Sequence, residues 1–153
     1  MIVYRLSRKQ YKDDLSGKGA EIAGGRWNSI GIGLLYTGEN RALCTAEIAV
    51  HTPLGITPQD YYIITIEIPK TKMEMVEEDS LMKNWRTFPH QPTTKLYGDD
   101  FVKRNESLVL RVPSAVIQRE YNYLINPKHK KFKEVKILNS EPFRFDKRLF
   151  EKK

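Results

Sequence analysis

The 153-residue sequence has one cysteine, Cys44, and only three histidines. A single thiol excludes an intrachain disulfide framework and any cysteine cluster for metal. The histidines are too scattered to suggest a metal site. Long apolar runs are also missing. The longest are a few residues, such as Ile63-Ile64, against the roughly 20 needed to cross a bilayer as a helix. The first residues, Met1-Ile2-Val3-Tyr4-Arg5, lack the charged-then-apolar layout of a secretory leader. Neither an internal repeat nor a low-complexity tract is visible. A soluble cytoplasmic protein with no membrane partner is expected.

Apolar residues make up 40% of the chain and aromatics 10%, an ordinary globular composition that argues against disorder. A chain of this length suits one domain, able to bury about 70% of its extended surface. The formal charge is +7, and much of the excess lies beyond Lys128. Such a distribution fits a solvated basic tail, attraction to an acidic partner or anionic ligand, or nucleic-acid binding. The absence of a helix-turn-helix, a finger or an aromatic-basic platform disfavours direct DNA binding.

Periodicity and punctuation outline a strand-rich α+β fold with few helices. Ile2–Leu6 reads as a first strand. Six of the nine glycines fall between Gly17 and Gly33, so residues 7–31 read as a long ordered loop or lid, a length that usually signals function. Leu34–Thr37 is a short strand. Asn40 can cap a helix whose stripe is Ala42, Leu43, Ala46, Ala49 and Val50, ended by Pro53. Glu47 borders that stripe, an uncommon place for a carboxylate without a partner or a task. Tyr61–Ile68 is a β-branched strand closed by Pro69, and Lys72–Val76 is a shorter one. Residues 79–92 look irregular, and Thr94–Asn105 is a weak helix interrupted by Gly98. Ser107–Val112, Tyr121–Ile125, Lys133–Leu138 and Pro142–Phe145 complete the strands.

One constellation stands out: Gly24-Gly25-Arg26-Trp27-Asn28, then Tyr36 in Leu34-Leu35-Tyr36-Thr37-Gly38, then Glu47 in Ala46-Glu47-Ile48-Ala49-Val50-His51. Taken singly, each residue has a plain alternative. Arg26 suits an oxyanion or a surface acid; Tyr36 a ligand face or a core rim; Glu47 catalysis or a helix edge. Ser114, after Pro113, suits a turn as well as a ligand. Gly24-Gly25 marks a turn more readily than a phosphate cradle, because it lacks the strand–GxGxxG–helix setting of a dinucleotide fold. Asn28 either fixes its loop or touches the ligand. His51 lies one helical turn from Glu47, as a tuning neighbour or an exposed helix-end residue. Cys44 reads as a small buried hydrophobe.

Together with Arg5, Val112-Pro113-Ser114-Ala115-Val116 and Asn122-Tyr123-Leu124-Ile125-Asn126-Pro127-Lys128-His129, this pattern resembles the RES domain family, the toxins of RES–Xre toxin–antitoxin modules. The resemblance covers residues 1–145 as one domain and leaves 146–153 as a basic C-terminal tail. It implies a fold like that of ADP-ribosyltransferases and an attack on NAD⁺, by hydrolysis or phosphorolysis, or by transfer of ADP-ribose to a protein. The implied catalytic set is Arg26, Tyr36 and Glu47. NAD⁺ binding falls to Arg5, Arg26, Tyr36, Ser114 and Asn28, with His51 and Asn126 as further candidates and His129 in the same motif as Asn126. NAD⁺ enters as substrate rather than cofactor, inorganic phosphate is a potential co-substrate, and no metal is implied. The implied partner is an Xre-like helix-turn-helix antitoxin that plugs the active site.

Those residue types suit that chemistry. Breaking the nicotinamide–ribose bond passes through an oxocarbenium-like state and releases a neutral leaving group. One carboxylate, Glu47, is then enough to stabilise the cation and orient a hydroxyl or nucleophile. The planar forks of Arg5 and Arg26 suit a diphosphate, and the Tyr36 ring suits stacking on nicotinamide.

Overall fold

The structure is a computed structural model that describes residues 1–152. Its centre is one seven-stranded mixed sheet in the order β4-β5-β6-β2-β1-β3-β7. The strands are β1 (Ile2–Arg8), β2 (Leu35–Gly38), β3 (Tyr61–Glu67), β4 (Met73–Met75), β5 (Val109–Pro113), β6 (Tyr121–Ile125) and β7 (Lys136–Phe143). All neighbours are antiparallel except β4 and β5. Among the described residues, three α-helices accompany the sheet: α1 (Lys18–Ala23), α2 (Arg41–His51) and α3 (Pro92–Arg104). This is the expected α+β class.

The strands in the middle of the sheet are apolar on both faces because both faces are covered. Alternation along β5 and β6 sends Leu110, Val112 and Leu124 to one side, where they meet Trp27, Trp85 and Phe101. Their neighbours Val109 and Ile125 turn to the other side and pack on Val3, Leu35, Ile64 and Ile66. A third cluster, Leu6, Cys44, Ile63, Phe145 and Phe150, seats α2 against β1 and β3.

Several segments differ from the sequence reading. The stretch 7–31 is not a plain loop: β1 runs on to Arg8, a 3-10 turn follows, and α1 occupies Lys18–Ala23. The Asn40 cap forms as expected, its Oδ1 accepting the Leu43 N–H at 2.7 Å. The inward face of α2 is rotated from the expected stripe, however. Leu43 and Cys44 are buried, whereas Ala42 and Val50 are exposed. The aromatic cluster under the helix draws in Cys44 and Ile48, and the rotation turns Glu47 inward with them.

The two late strands are one, β7, which pairs with β3 around an irregularity at Thr65/Ile66. Residues Lys130–Glu134 form a 3-10 turn instead. Pro142 is tolerated because β7 is a sheet edge, where a missing N–H costs no ladder bond. The segment expected as a tail from 146 starts with a 3-10 turn at Lys147–Leu149, and Phe150 is buried in the third cluster. Lys153, the last residue of that segment, lies outside the described residues.

The weak helix candidate is α3, which begins two residues earlier than expected and ends one earlier, at Arg104. Its interior glycine is a packing requirement, since a Cβ on Gly98 would lie 1.7 Å from the Trp27 carbonyl oxygen. The helix accepts the propensity penalty of glycine, about 1 kcal/mol, to lie directly on the arginine-bearing loop. Ser29 reinforces the contact by donating from its backbone N–H and hydroxyl to the Asp99 carboxylate at 2.8 and 2.6 Å. Gly98→Ala, stabilising in an ordinary exposed helix, is expected to destabilise this protein by roughly 1–3 kcal/mol through overpacking. A urea titration checks this, and an unchanged or higher midpoint contradicts the packing account.

Candidate active site

A cavity of about 970 Å³ opens between α2, the loop 24–27, the segment 86–90 and the end of β5. That volume is at the upper end for small-molecule sites. Arg5, Arg26, Tyr36, Glu47 and His51 all line it. These five sequence candidates therefore converge from β1, a loop, β2 and α2 onto one space.

Glu47 is the best-held group. Its Oε1 accepts from the Asn122 amide at 2.8 Å and from the Ser114 hydroxyl at 3.1 Å. Ser114 Oγ in turn accepts the backbone N–H groups of Val116 and Ile117 at 3.1 and 3.0 Å. A hydroxyl that receives two N–H groups has its own proton committed to the carboxylate. Ser114 is thus buried behind Glu47 rather than lining the cavity as expected. Oε2 of Glu47 accepts no hydrogen bond among the described residues.

Tyr36 presents its ring to the cavity while its hydroxyl is anchored in the loop. It donates to Asn28 Oδ1 at 2.7 Å and accepts the Trp27 N–H at 3.1 Å. Burial raises the phenol pKa far above its ordinary value of 10.0, so this hydroxyl is a fixed dipole and not a base. A Cβ on Gly25 would sit 2.7 Å from that oxygen, which explains the second glycine of the pair. Asn28 is completely buried, its amide donating to the carbonyls of Ala20, Ser29 and Ile32. Of its two candidate roles, the loop-fixing one is visible in these bonds, and Asn28 is not among the residues lining the cavity.

The arginines are committed differently. Arg26 donates from Nη1 to the carbonyls of Trp85 (2.6 Å) and Thr87 (3.1 Å) and from Nη2 to that of Arg86 (3.3 Å). It therefore straps the 85–87 segment across the cavity and keeps only part of its fork for a ligand. Arg5 spends one N–H on the Asp14 carbonyl at 2.6 Å. Burial pulls both guanidinium pKa values down from the ordinary 12.5, opposed by Glu47 and Tyr36 at Arg26 and by Asp14 at Arg5. Both remain charged at neutral pH.

Asn126 and His129 lie elsewhere. Asn126 is completely buried, donating to Asn105 Oδ1 at 2.8 Å and accepting the Lys128 N–H at 3.0 Å. His129 Nδ1 accepts the Lys131 N–H at 3.2 Å. The pair shapes the turn after β6 and takes no part in the cavity. Cys44 does touch the cavity, but burial pushes its thiol up to about 12, so it stays protonated and inert.

Sequence reasoning missed Asn122, Arg86, Phe88 and His90, all on the cavity wall. Asn122 had two available signals, its place at the head of a motif that carries the resemblance and a polar side chain in an otherwise aromatic and aliphatic strand. The other three come from an irregular segment whose path no local pattern reveals. His90 packs edge-on to Phe88 at 5.2 Å, and Phe88 meets His51 at 6.3 Å.

An α+β architecture of this kind is found in a chain of the M. tuberculosis MbcT–MbcA toxin–antitoxin complex, solved by crystallography. The two align with a TM-score of 0.75 over 97% of this chain and 86% of that one, at 17% identity. The likeness is one of fold. The RES domain family model matches residues 2–146. The "Prs ADP-ribosylating toxin" of Sphingobium sp. (strain YBL2) is 33% identical across 95% of this chain and 92% of its own length. A "Toxin Res" of Photorhabdus laumondii is 32% identical across 100% and 99%, and one of Yersinia enterocolitica is 33% identical across 97% and 99%. This chain belongs to the RES domain family.

One consequence of the aromatic wall is measurable. Burial, then the charges of Arg26, His51 and Lys95, hold the His90 pKa below its ordinary 6.5. The unfolded chain then binds the proton more readily, so this residue's share of stability is present above the unfolded value and lost as pH falls through the folded one. His90→Phe is expected to flatten the loss of thermal stability on acidification from about pH 7 to about pH 5. Melting curves across that range test it, and an unaltered slope contradicts it.

Proposed function

We propose that this protein is the toxin of a toxin–antitoxin module and that it cleaves the nicotinamide–ribose bond of NAD⁺. The observation that carries the reading is the Glu47 carboxylate, fixed through one oxygen by Asn122 and Ser114, in a cavity that also holds guanidinium groups and the Tyr36 ring. The names of the relatives support an NAD⁺-using toxin.

In this reading the diphosphate lies toward the guanidinium groups, and the nicotinamide end lies near Tyr36. The C1″–N bond breaks, its electron pair neutralises the pyridinium, and nicotinamide departs without needing a proton. The free Oε2 of Glu47 stabilises the ribosyl cation and orients a ribose hydroxyl or the incoming nucleophile. Water then adds at C1″, and ADP-ribose and a proton are released; with inorganic phosphate the product is ADP-ribose 1″-phosphate. NAD⁺ acts as substrate, and no separate cofactor is required. Loss of cellular NAD⁺ would arrest growth. An Xre-type antitoxin would neutralise the enzyme by entering the same cavity. Transfer of ADP-ribose to a protein is the second reading, favoured by the name of the Sphingobium relative.

Product analysis after mixing purified protein with NAD⁺, with and without phosphate, decides between these routes. Free ADP-ribose or its 1″-phosphate without a protein acceptor supports degradation. Turnover that appears only with an added protein supports transfer, and intact NAD⁺ under every condition overturns both. Glu47→Gln is expected to abolish turnover while retaining most NAD⁺ affinity, measured by calorimetry. Asn122→Ala, which removes the shorter of the two hydrogen bonds on Oε1, is expected to lower kcat by about 10- to 100-fold with little change in KM, since a positioning bond strengthens mainly in the transition state. A loss confined to KM would place Asn122 in substrate binding instead.

A further inference from the structure

Arg26 donates three Nη bonds to backbone carbonyls, which leaves only part of its fork to grip a diphosphate. Arg86 is the neighbouring guanidinium, and it is built into place. Its own carbonyl accepts from Arg26 Nη2 at 3.3 Å. Its guanidinium lies 5.0 Å from the Trp85 ring centroid, and Trp85 is itself buried in the main core. Arg86 lines the cavity, and its backbone and its side chain are both restrained there. One side of the fork is taken by the Glu78 carboxylate, which accepts from Arg86 Nη2. Glu78 does not line the cavity, and its side chain is 45% exposed.

Charge in the cavity is unbalanced. Arg5, Arg26 and Arg86 line it with Glu47 as the one carboxylate among the described lining residues. With Glu78 counted beside Arg86 the balance is three positive charges against two negative, a net positive wall that favours an anionic ligand such as a diphosphate. An exposed carboxylate–guanidinium pair is worth only about 0–1 kcal/mol. A diphosphate offers the same bidentate geometry with more charge, so it competes easily for the same fork.

We infer that Arg86 is a diphosphate-binding residue of this cavity and that Glu78 is its internal counter-ion, displaced or shared when the ligand binds. The assignment rests on the NAD⁺ reading for the identity of the ligand but depends on binding rather than on turnover. Arg26 then acts on the ligand partly at second hand, by holding the segment that presents Arg86.

The two ends of the ion pair distinguish this role from a structural one. If the pair merely braced the segment, removing either partner would weaken binding. As a competing counter-ion, Glu78 opposes the ligand, so the two variants shift affinity in opposite directions. The probe is ADP-ribose, which carries the diphosphate without the scissile bond, titrated by calorimetry into the full chain. Arg86→Ala is expected to weaken binding by about tenfold or more, as for a lost charge-assisted hydrogen bond. Glu78→Gln is expected to tighten it by roughly 1.5- to 5-fold, the range of a weak exposed pair. Melting temperatures near that of the parent protein establish that both variants fold, and Arg86→Lys, with charge but no fork, is expected to recover only part of the affinity. Weaker binding in Glu78→Gln, unchanged binding in Arg86→Ala, or no ADP-ribose binding by the parent protein overturns the inference. NAD⁺ consumption by the parent protein is measured in parallel. Opposite shifts without NAD⁺ consumption would leave the Arg86 site standing and remove the proposed reaction; consumption without opposite shifts would do the reverse.

Discussion

The two hydrogen bonds on Glu47 Oε1 are the point on which the site turns. A carboxylate on a helix has several rotamers, and the proposed reaction, which develops positive charge, needs it in one place. Asn122 comes from the start of β6 and Ser114 from the end of β5. They tie α2 to the far side of β2, so the helix bearing the acid cannot shift without disturbing two strands. Ser114 can serve only because the turn after Pro113 supplies two N–H groups to its oxygen. The proposed chemistry therefore depends on sheet register as much as on the glutamate.

A second set of constraints governs the opposite wall. The loop carrying Arg26 is held by close approaches that exclude larger residues. Gly25 lies against the Tyr36 hydroxyl, and Gly98 of α3 lies against the Trp27 carbonyl. Thr94 of the same helix donates to the Arg26 carbonyl at 2.7 Å. These contacts aim the Arg26 side chain at the backbone of residues 85–87. An arginine that looks free to grip a ligand is thereby used to hold a further piece of the wall. Arg86, Phe88 and His90 reach the cavity through this arrangement, not through any regular element of their own.

Much of the architecture was legible beforehand, where local signals and packing agree. The strands at Tyr61 and Tyr121 are β-branched or aromatic runs bounded by prolines or polar residues, and both form within a residue or two of expectation. The Asn40 cap and the end of α2 before Pro53 also follow from local chemistry. The misreadings share a cause, which is that partners distant in sequence outvote local pattern. Ala42 and Val50 have helical spacing, but the aromatic cluster beneath selects Cys44 and Ile48. Gly98 discourages a helix until Trp27 arrives beneath it. Phe150 belongs to the core though it lies in a charged terminal stretch.

The candidate site divides in the same way. The sequence by itself determined the chemical inventory: one acid beside an apolar stripe, arginines on the first strand and the glycine loop, a tyrosine on a short strand. Those identities restrict the reaction, because functional groups are set by side-chain chemistry alone. Only the tertiary structure decided their roles. It put Ser114 and Asn122 behind Glu47, buried Asn28 beneath Tyr36, and removed Asn126 and His129 to a turn outside the cavity. It also brought in Arg86 from a segment with no regular pattern. Roles of this kind depend on hydrogen bonds between residues as far apart as Glu47 and Asn122, and such pairings exist only once the sheet has set which strands are neighbours.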